Sequence, residues 1–107
     1  MPQLERSALF KRQLIDITTS YRQRAGSPVA LRFVDQVNEA ISFLSANPFA
    51  CAIYTRLEGE AFRKWPVGNF PVSVFFRLKG HDRIILEALY AHRMNISGRL
   101  PYETGEH

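Results

Sequence analysis

The apolar residues of this chain change their spacing once, and that change constrains the fold more than any other feature. Between residues 8 and 44 they recur every three or four positions, as on one face of an amphipathic helix. From residue 72 onwards they alternate or form a continuous apolar run, as in half-buried and fully buried strands. The order predicts helices that cover one face of a sheet.

Two helices are predicted, and each has its own end signals. The first runs over residues 8–24, with Ser7 as its N-cap and Gly26 as a left-handed stop. The second begins with Ser27 as its cap and Pro28 as its first helical residue, because proline suits the first helical turn, and it ends at Asn47-Pro48. The apolar stripe of the first contains Phe10, Leu14, Ile17 and Tyr21, and that of the second Ala30, Phe33, Val34, Val37, Ala40, Ile41 and Leu44.

Strands are predicted from alternation and from turn residues. They fall at residues 3–6, 62–66, 72–78 and 83–91, with a partial strand around 53–57. The last two form a hairpin whose turn contains Gly80. The predicted fold class is therefore α+β, an N-terminal helix hairpin packed on one face of a small antiparallel sheet (β-α-α-β-β-β), in a single domain over residues 1–107.

Composition excludes several classes of protein. Cys51 is the only cysteine, so no intrachain disulfide can form, and no recognised ligand spacing predicts a metal or another cofactor. No apolar run approaches the ~20 residues that cross a bilayer, so we expect a soluble, cytoplasmic protein with no membrane partner. No glycine-rich phosphate loop or nucleophile elbow is present. The formal charge of +4 favours anionic partners, either nucleic acid or an acidic protein.

The second half of the chain carries most of the positive charge. Residues 61–102 contain seven basic and two acidic residues, and aromatic residues lie between them. Such a surface can bind phosphates and stack bases, but the favoured interpretation of these residues is core aromatics and solvated charges. The basic residues are Arg63, Lys64, Arg77, Lys79, Arg83, Arg93 and Arg99, and the aromatics include Phe62, Trp65, Phe70, Phe75 and Tyr90.

His92 and Arg93 directly follow the last predicted strand, where a scaffold holds polar side chains at the solvent boundary. In metal-free RNA cleavage His92 could transfer a proton and Arg93 could stabilise negative charge. A C-cap or an ion pair explains the two residues equally well. His81 and His107 are expected to be polar surface, and Cys51 a small buried hydrophobe.

Four segments, taken in order, carry the pattern of a known family. They are Ala30 to Pro48 with its Asn-Pro stop, the basic strand Phe62-Arg63-Lys64, the aromatic strand Phe70 to Arg77, and the ending Ile84 to Asn95. Together they resemble the ParE/RelE toxin superfamily over nearly the whole chain. The resemblance implies the toxin of a type II toxin–antitoxin pair, held in a hetero-oligomer by a small co-encoded antitoxin.

The superfamily has two branches that share this fold, so fold alone does not separate them. The RelE branch cleaves messenger RNA on the ribosome, whereas the ParE branch poisons DNA gyrase. Ser73 stands where RelE-like ribonucleases carry an arginine, and the Phe70-Pro71 and His92-Arg93 segments look more like ParE. The resemblance favours a gyrase inhibitor that is not an enzyme. A ribosome-dependent endoribonuclease is the alternative, and a toxin that has lost its toxicity is a third possibility.

The resemblance also implies roles for individual residues. The target-binding surface is expected to contain Arg63, Lys64, Arg77, His92 and Arg93. In the ribonuclease alternative Lys64 holds phosphate, His92 shuttles a proton and Arg93 stabilises charge. The antitoxin is expected to lay an amphipathic segment across the helix hairpin. The residues predicted to receive it are Leu14, Ile17, Tyr21, Phe33 and Val37.

Overall fold

Two helices and five strands make up the part of the chain that the computed structural model describes, residues 3–80 and 82–92. In chain order they are β1 (Gln3–Arg6), α1 (Ala8–Ala25), α2 (Ser27–Ala46), β2 (Ala52–Leu57), β3 (Glu60–Pro66), β4 (Val72–Lys79) and β5 (Arg83–Ala91), with one 3-10 turn at Pro48–Ala50 between α2 and β2. Neither described helix has the length and apolarity to cross a membrane.

The five strands form one mixed sheet in the order β1-β5-β4-β3-β2. Strands β2 to β5 are antiparallel neighbours, and β1 lies parallel to β5, with Gln3 opposite Arg83. The predicted α+β class is confirmed, but two details differ. First, the sheet is mixed, because β1 runs parallel to β5, an arrangement that the long connection through the helix hairpin allows. Second, residues 52–57 form a complete strand. Alternation is weak in β2 because it is a largely exposed edge strand.

The predicted helix ends are largely confirmed. The N-cap of α1 also attaches this helix to the sheet. The Ser7 hydroxyl accepts a hydrogen bond from the backbone N–H of Phe10 (2.9 Å) and donates one to the carbonyl of Glu87 on β5 (2.7 Å). Gly26 has a φ of +91°, which only glycine adopts easily, and it separates the two helices. Gly26 rather than Ser27 occupies the cap position of α2, since Ser27 is already helical.

The main core lies between the helices and one face of the sheet, which we call the helix face. Five residues of the predicted α2 stripe are buried there against β4 and β5, namely Phe33, Val37, Ala40, Ile41 and Leu44, whereas Val34 is only partly buried. Each fully buried side chain of this kind stabilises the fold by roughly 1.5–3 kcal/mol. Central members are Phe10, Phe33, Val37, Leu44, Val74, Phe76 and Leu86.

The opposite face of the sheet, which we call the far face, carries a second buried cluster. It contains Leu9, Phe62, Phe75, Ala88 and Tyr90, each at most 6% exposed. Burial on both faces was predicted for β5 and is confirmed there, and it extends to β4. The aromatic rings of the far face are therefore core residues, which favours the structural interpretation of these aromatics over base stacking.

Candidate functional site

His92 lies just beyond the end of β5 and is attached to β4. Its backbone N–H donates to the carbonyl of Pro71 (3.0 Å), and its Nε2 lies 2.9 Å from the hydroxyl of Ser73. The Ser73 hydroxyl can donate to this nitrogen or accept from it, depending on the tautomer. Ser73 is buried whereas His92 is exposed. The imidazole is therefore oriented by a buried hydroxyl and remains accessible to solvent. Arg93, its predicted companion, lies outside the described residues.

A cavity of about 430 Å³ opens beside His92, between α1 and the ends of β4 and β5. We call it the His92 groove. Apolar groups such as Ile17 and Val72 line it, together with charged side chains from α1. The full lining is Asp16, Ile17, Ser20, Tyr21, Arg24, Pro71, Val72, Ala91 and His92. A residue predicted to bind the target, His92, thus shares one cavity with Ile17 and Tyr21, which were predicted to bind the antitoxin.

Tyr21 forms a rigid wall of this groove. Its ring centroid lies 5.2 Å from that of Phe33 and 5.1 Å from that of Phe70, and the Arg24 guanidinium lies 5.5 Å from the Tyr21 centroid. Tilted and edge-on aromatic contacts of this kind fix the ring in one orientation. The Tyr21 ring is therefore held in place at the groove, with the Arg24 cation beside it.

Two of the predicted antitoxin residues do not reach the surface. Phe33 is 0% exposed and Val37 is 1% exposed, because both point from α2 into the main core. Leu14 also packs against that core, although it is only partly buried. A partner could touch Phe33 or Val37 only by opening the core, so these two residues act as supports rather than contacts.

Arg77 is buried in an ion-pair cluster that crosses three strands. Its Nε donates to Glu87 Oε2 (2.8 Å) on β5, and its Nη1 is paired with Glu60 on β3. Arg77 is 5% exposed and Glu87 is 2% exposed. One guanidinium therefore lies between two carboxylates, and its charge is neutralised. Arg77 was predicted to contact the target, but in the structure it joins β3, β4 and β5.

Arg63 and Lys64 point to opposite faces of β3, because successive residues of a strand alternate. The Arg63 Nη1 donates to the carbonyl of Cys51 (2.9 Å), and its guanidinium lies 5.2 Å from the Phe49 ring centroid. Lys64 is exposed, with its Nζ 5.1 Å from the Tyr54 ring centroid. Neither cation is among the residues that line the His92 groove.

Cys51 is buried, as predicted, and belongs to the main core. Burial raises the pKa of its thiol above the ordinary range, and the Arg63 cation offsets part of that shift. A raised pKa keeps the sulfur in its unreactive thiol form at neutral pH. Across residues 3–80 and 82–92, no three His, Cys, Asp or Glu side chains come together in a way that could hold a metal ion.

A groove on the outside of the helix hairpin is not predicted from the sequence. This outer hairpin groove has a volume of about 300 Å³, and Leu31 in its wall is 65% exposed. Ala30 and Val34 belong to the predicted α2 stripe, but Leu31 and the polar residues of the groove lie outside it, so the apolar periodicity did not reveal the groove. The lining residues are Thr18, Arg22, Ser27, Ala30, Leu31 and Val34.

Comparison with known proteins agrees with this architecture. Residues 4–96 match the family model described as the ParE toxin of the type II toxin–antitoxin system parDE. A solved structure described as the chromosomal ParDE toxin–antitoxin system from P. aeruginosa is similar to this chain, with a TM-score of 0.72 and 22% sequence identity. The similarity covers 85% of this chain and 96% of that one, and at this identity it concerns the fold. No curated protein sequence matches the chain significantly.

The Arg77 cluster predicts a large loss of stability when its cation is removed. Arg77→Met leaves Glu87 charged and buried without that partner, so we expect the free energy of unfolding to fall by about 3–5 kcal/mol. Urea unfolding followed by circular dichroism measures it. Lys79→Met, at an exposed position of the same strand, should change it by less than about 0.5 kcal/mol. Equal losses in the two variants would show that Arg77 is not structural.

Proposed function

Because this chain belongs to the ParE toxin family of type II toxin–antitoxin systems, we propose that it inhibits DNA gyrase by protein contact and that a co-encoded antitoxin neutralises it. The observation that carries the proposal is the His92 groove, where an oriented imidazole and charged side chains surround an apolar floor. Interfaces between proteins combine apolar and aromatic anchors with a polar rim in this way.

Ribonuclease chemistry is less well supported by the same residues. Metal-free RNA cleavage needs a proton-transfer group and a cation that converge on one phosphate. Arg77 is bound to Glu60 and Glu87, so its cation is not available beside His92, and the exposed Lys64 is not among the residues that line the His92 groove. The two carboxylates also repel phosphate. These contacts favour gyrase binding over messenger RNA cleavage on the ribosome.

We place the gyrase contact at His92 and the rim of its groove. The imidazole is exposed and held by Ser73, so little entropy is lost when a partner binds it. Arg24 and Asp16 flank the same cavity and supply charges that can select a partner. Arg93 follows His92 in the chain and remains part of the proposed contact. Arg77 is not part of the proposed contact, because it is buried.

Neutralisation follows from the shared cavity. An antitoxin that packs on Ile17 and Tyr21 occupies the space beside His92 and thereby excludes gyrase. The outer hairpin groove gives the same antitoxin a second site. There Leu31 and Val34 can contact apolar side chains, and Arg22 can form an ion pair with a carboxylate. An amphipathic acidic segment fits this combination. The expected complex is a hetero-oligomer of toxin and antitoxin.

We expect the purified full chain to inhibit the supercoiling activity of DNA gyrase. His92→Ala should weaken inhibition about tenfold, as for loss of one interface anchor. Gel assays of plasmid supercoiling at increasing toxin concentration measure both effects. Lys79→Ala, which removes an exposed cation at the other end of β4, serves as the control. Ribosome-dependent transcript cleavage that disappears in His92→Ala, with gyrase unaffected by the wild type, would refute the proposal.

Antitoxin binding should depend on the outer hairpin groove. Leu31→Asp places a charge where an apolar contact is proposed, and we expect the dissociation constant to rise at least about tenfold. Asn38→Asp adds the same charge to an exposed position of α2 without removing an apolar group. Isothermal calorimetry with the co-encoded antitoxin compares the two. Affinities that remain equal to wild type in both variants would exclude this groove as a binding site.

A further inference from the structure

We propose that the cleft between α2 and the end of β3 is a binding site for an arginine side chain of another protein. The cleft, which we call the Trp65 pocket, has a volume of about 190 Å³ and is lined by Gln36, Glu39, Phe43, Trp65 and Gly68, among others. Sites for small molecules usually span about 300–1,000 Å³, so this pocket suits a single side chain. The inference does not depend on whether gyrase is the toxin's target.

One wall of the pocket is a stacked pair of aromatic rings. Phe43 on α2 and Trp65 on β3 have ring centroids 4.2 Å apart and an interplanar angle of 15°. Both side chains pack against the main core and are only partly buried. Stacking and core contacts hold the indole in one orientation, and indole is the side chain whose face attracts cations most strongly.

The other partly exposed aromatic rings of the described chain already have a cation of their own. In each case the charged group lies 5.1–5.9 Å from the ring centroid. The four pairs are Arg24 with Tyr21, Arg32 with Phe70, Arg63 with Phe49 and Lys64 with Tyr54. Over residues 3–80 and 82–92, the Phe43–Trp65 pair is the exception, since no cation lies over either ring.

Glu39 gives the pocket a negative charge. It is exposed on α2, four residues before Phe43, which places both side chains on the same side of the helix. Glu39 forms no ion pair with any other residue that the structure describes, and no Lys, Arg or His is among the pocket's lining residues. A cation that enters the pocket therefore meets a carboxylate and an indole, and neither is engaged by a cation of the described chain.

Gln36 favours arginine over lysine as the occupant. Its amide lies directly against Gly68, where an added Cβ would overlap it, so the amide is held at the edge of the pocket. A guanidinium is planar and carries five N–H donors, so it can bind a carboxylate and an amide oxygen while it stacks on a ring. The ammonium of lysine is a point charge without a stacking face.

A second copy of this chain is a less suitable source of the arginine. Each copy has a formal charge of +4, so two copies repel each other at long range. Five of the chain's own arginines are also engaged, three by aromatic rings and two by carboxylates. They are Arg24, Arg32, Arg63, Arg77 and Arg83. The occupant is therefore an arginine of a different protein.

Trp65 is the only tryptophan of the chain, so its fluorescence reports directly on the pocket. The full chain is titrated with a capped glycine-arginine-glycine peptide and with the same peptide carrying citrulline, which keeps the shape of arginine without its charge. We expect a saturable change with a dissociation constant on the order of 1 mM for arginine, and at least about tenfold weaker binding for citrulline. Equal binding of the two peptides, or no saturable change with arginine, would overturn the proposal.

A matched pair of substitutions locates the charge contact. Glu39→Gln should weaken binding of the arginine peptide about tenfold. Glu58→Gln removes the same charge from an exposed position in the turn between β2 and β3, outside the pocket, and should leave binding unchanged. Both positions are exposed, so both variants should fold. Equal effects of the two changes would contradict the proposed site, and self-association of the chain that Glu39→Gln abolishes would contradict the proposed occupant.

Discussion

The buried side chain of Arg77 lies between Glu87 and Glu60, and the arrangement of the central strands depends on how its charge is satisfied. Removing a guanidinium from water costs several kcal/mol, which only close and well-oriented carboxylates offset. The contact to Glu87 crosses from β4 to β5, and the contact to Glu60 crosses from β4 to β3. The cluster therefore favours one register among three neighbouring strands, and it neutralises the Arg77 cation.

In the proposed function, contacts with other proteins lie at the borders of the sheet rather than on its far face. At one border His92 leaves β5 and joins Tyr21 and Ile17 around a groove. At the other border Ile53 on β2 and Phe49 in the turn before it are exposed. Between them lie aromatic and aliphatic side chains that are buried on both faces. A protein built in this way is better suited to binding other proteins than to holding an RNA strand across its sheet.

The features that the sequence predicted are those that depend on near neighbours in the chain. The Ser7 cap, the Gly26 turn and the α2 stripe around Phe33 follow from spacings of a few residues, and the structure confirms them. The partners of Arg77 are ten and seventeen residues away, and strand register decides which charges meet. A count of basic residues treats Arg77 and Lys64 alike, although one is neutralised and the other exposed. Apolar periodicity likewise identified Val37 as part of the α2 stripe, but it could not show whether the side chain packs in the core or faces a partner. In the structure Val37 lies in the main core.

A double-mutant cycle between Arg77 and Glu87 tests most directly the claim that the central cation is structural. Unfolding free energies are measured for the wild type, Arg77→Met, Glu87→Met and the double variant. The account predicts a coupling of at least about 2 kcal/mol, because two apolar side chains can replace a buried ion pair whereas either single change cannot. It also predicts that the double variant inhibits gyrase as the wild type does. Additive losses of stability, or a folded double variant without inhibitory activity, would contradict it.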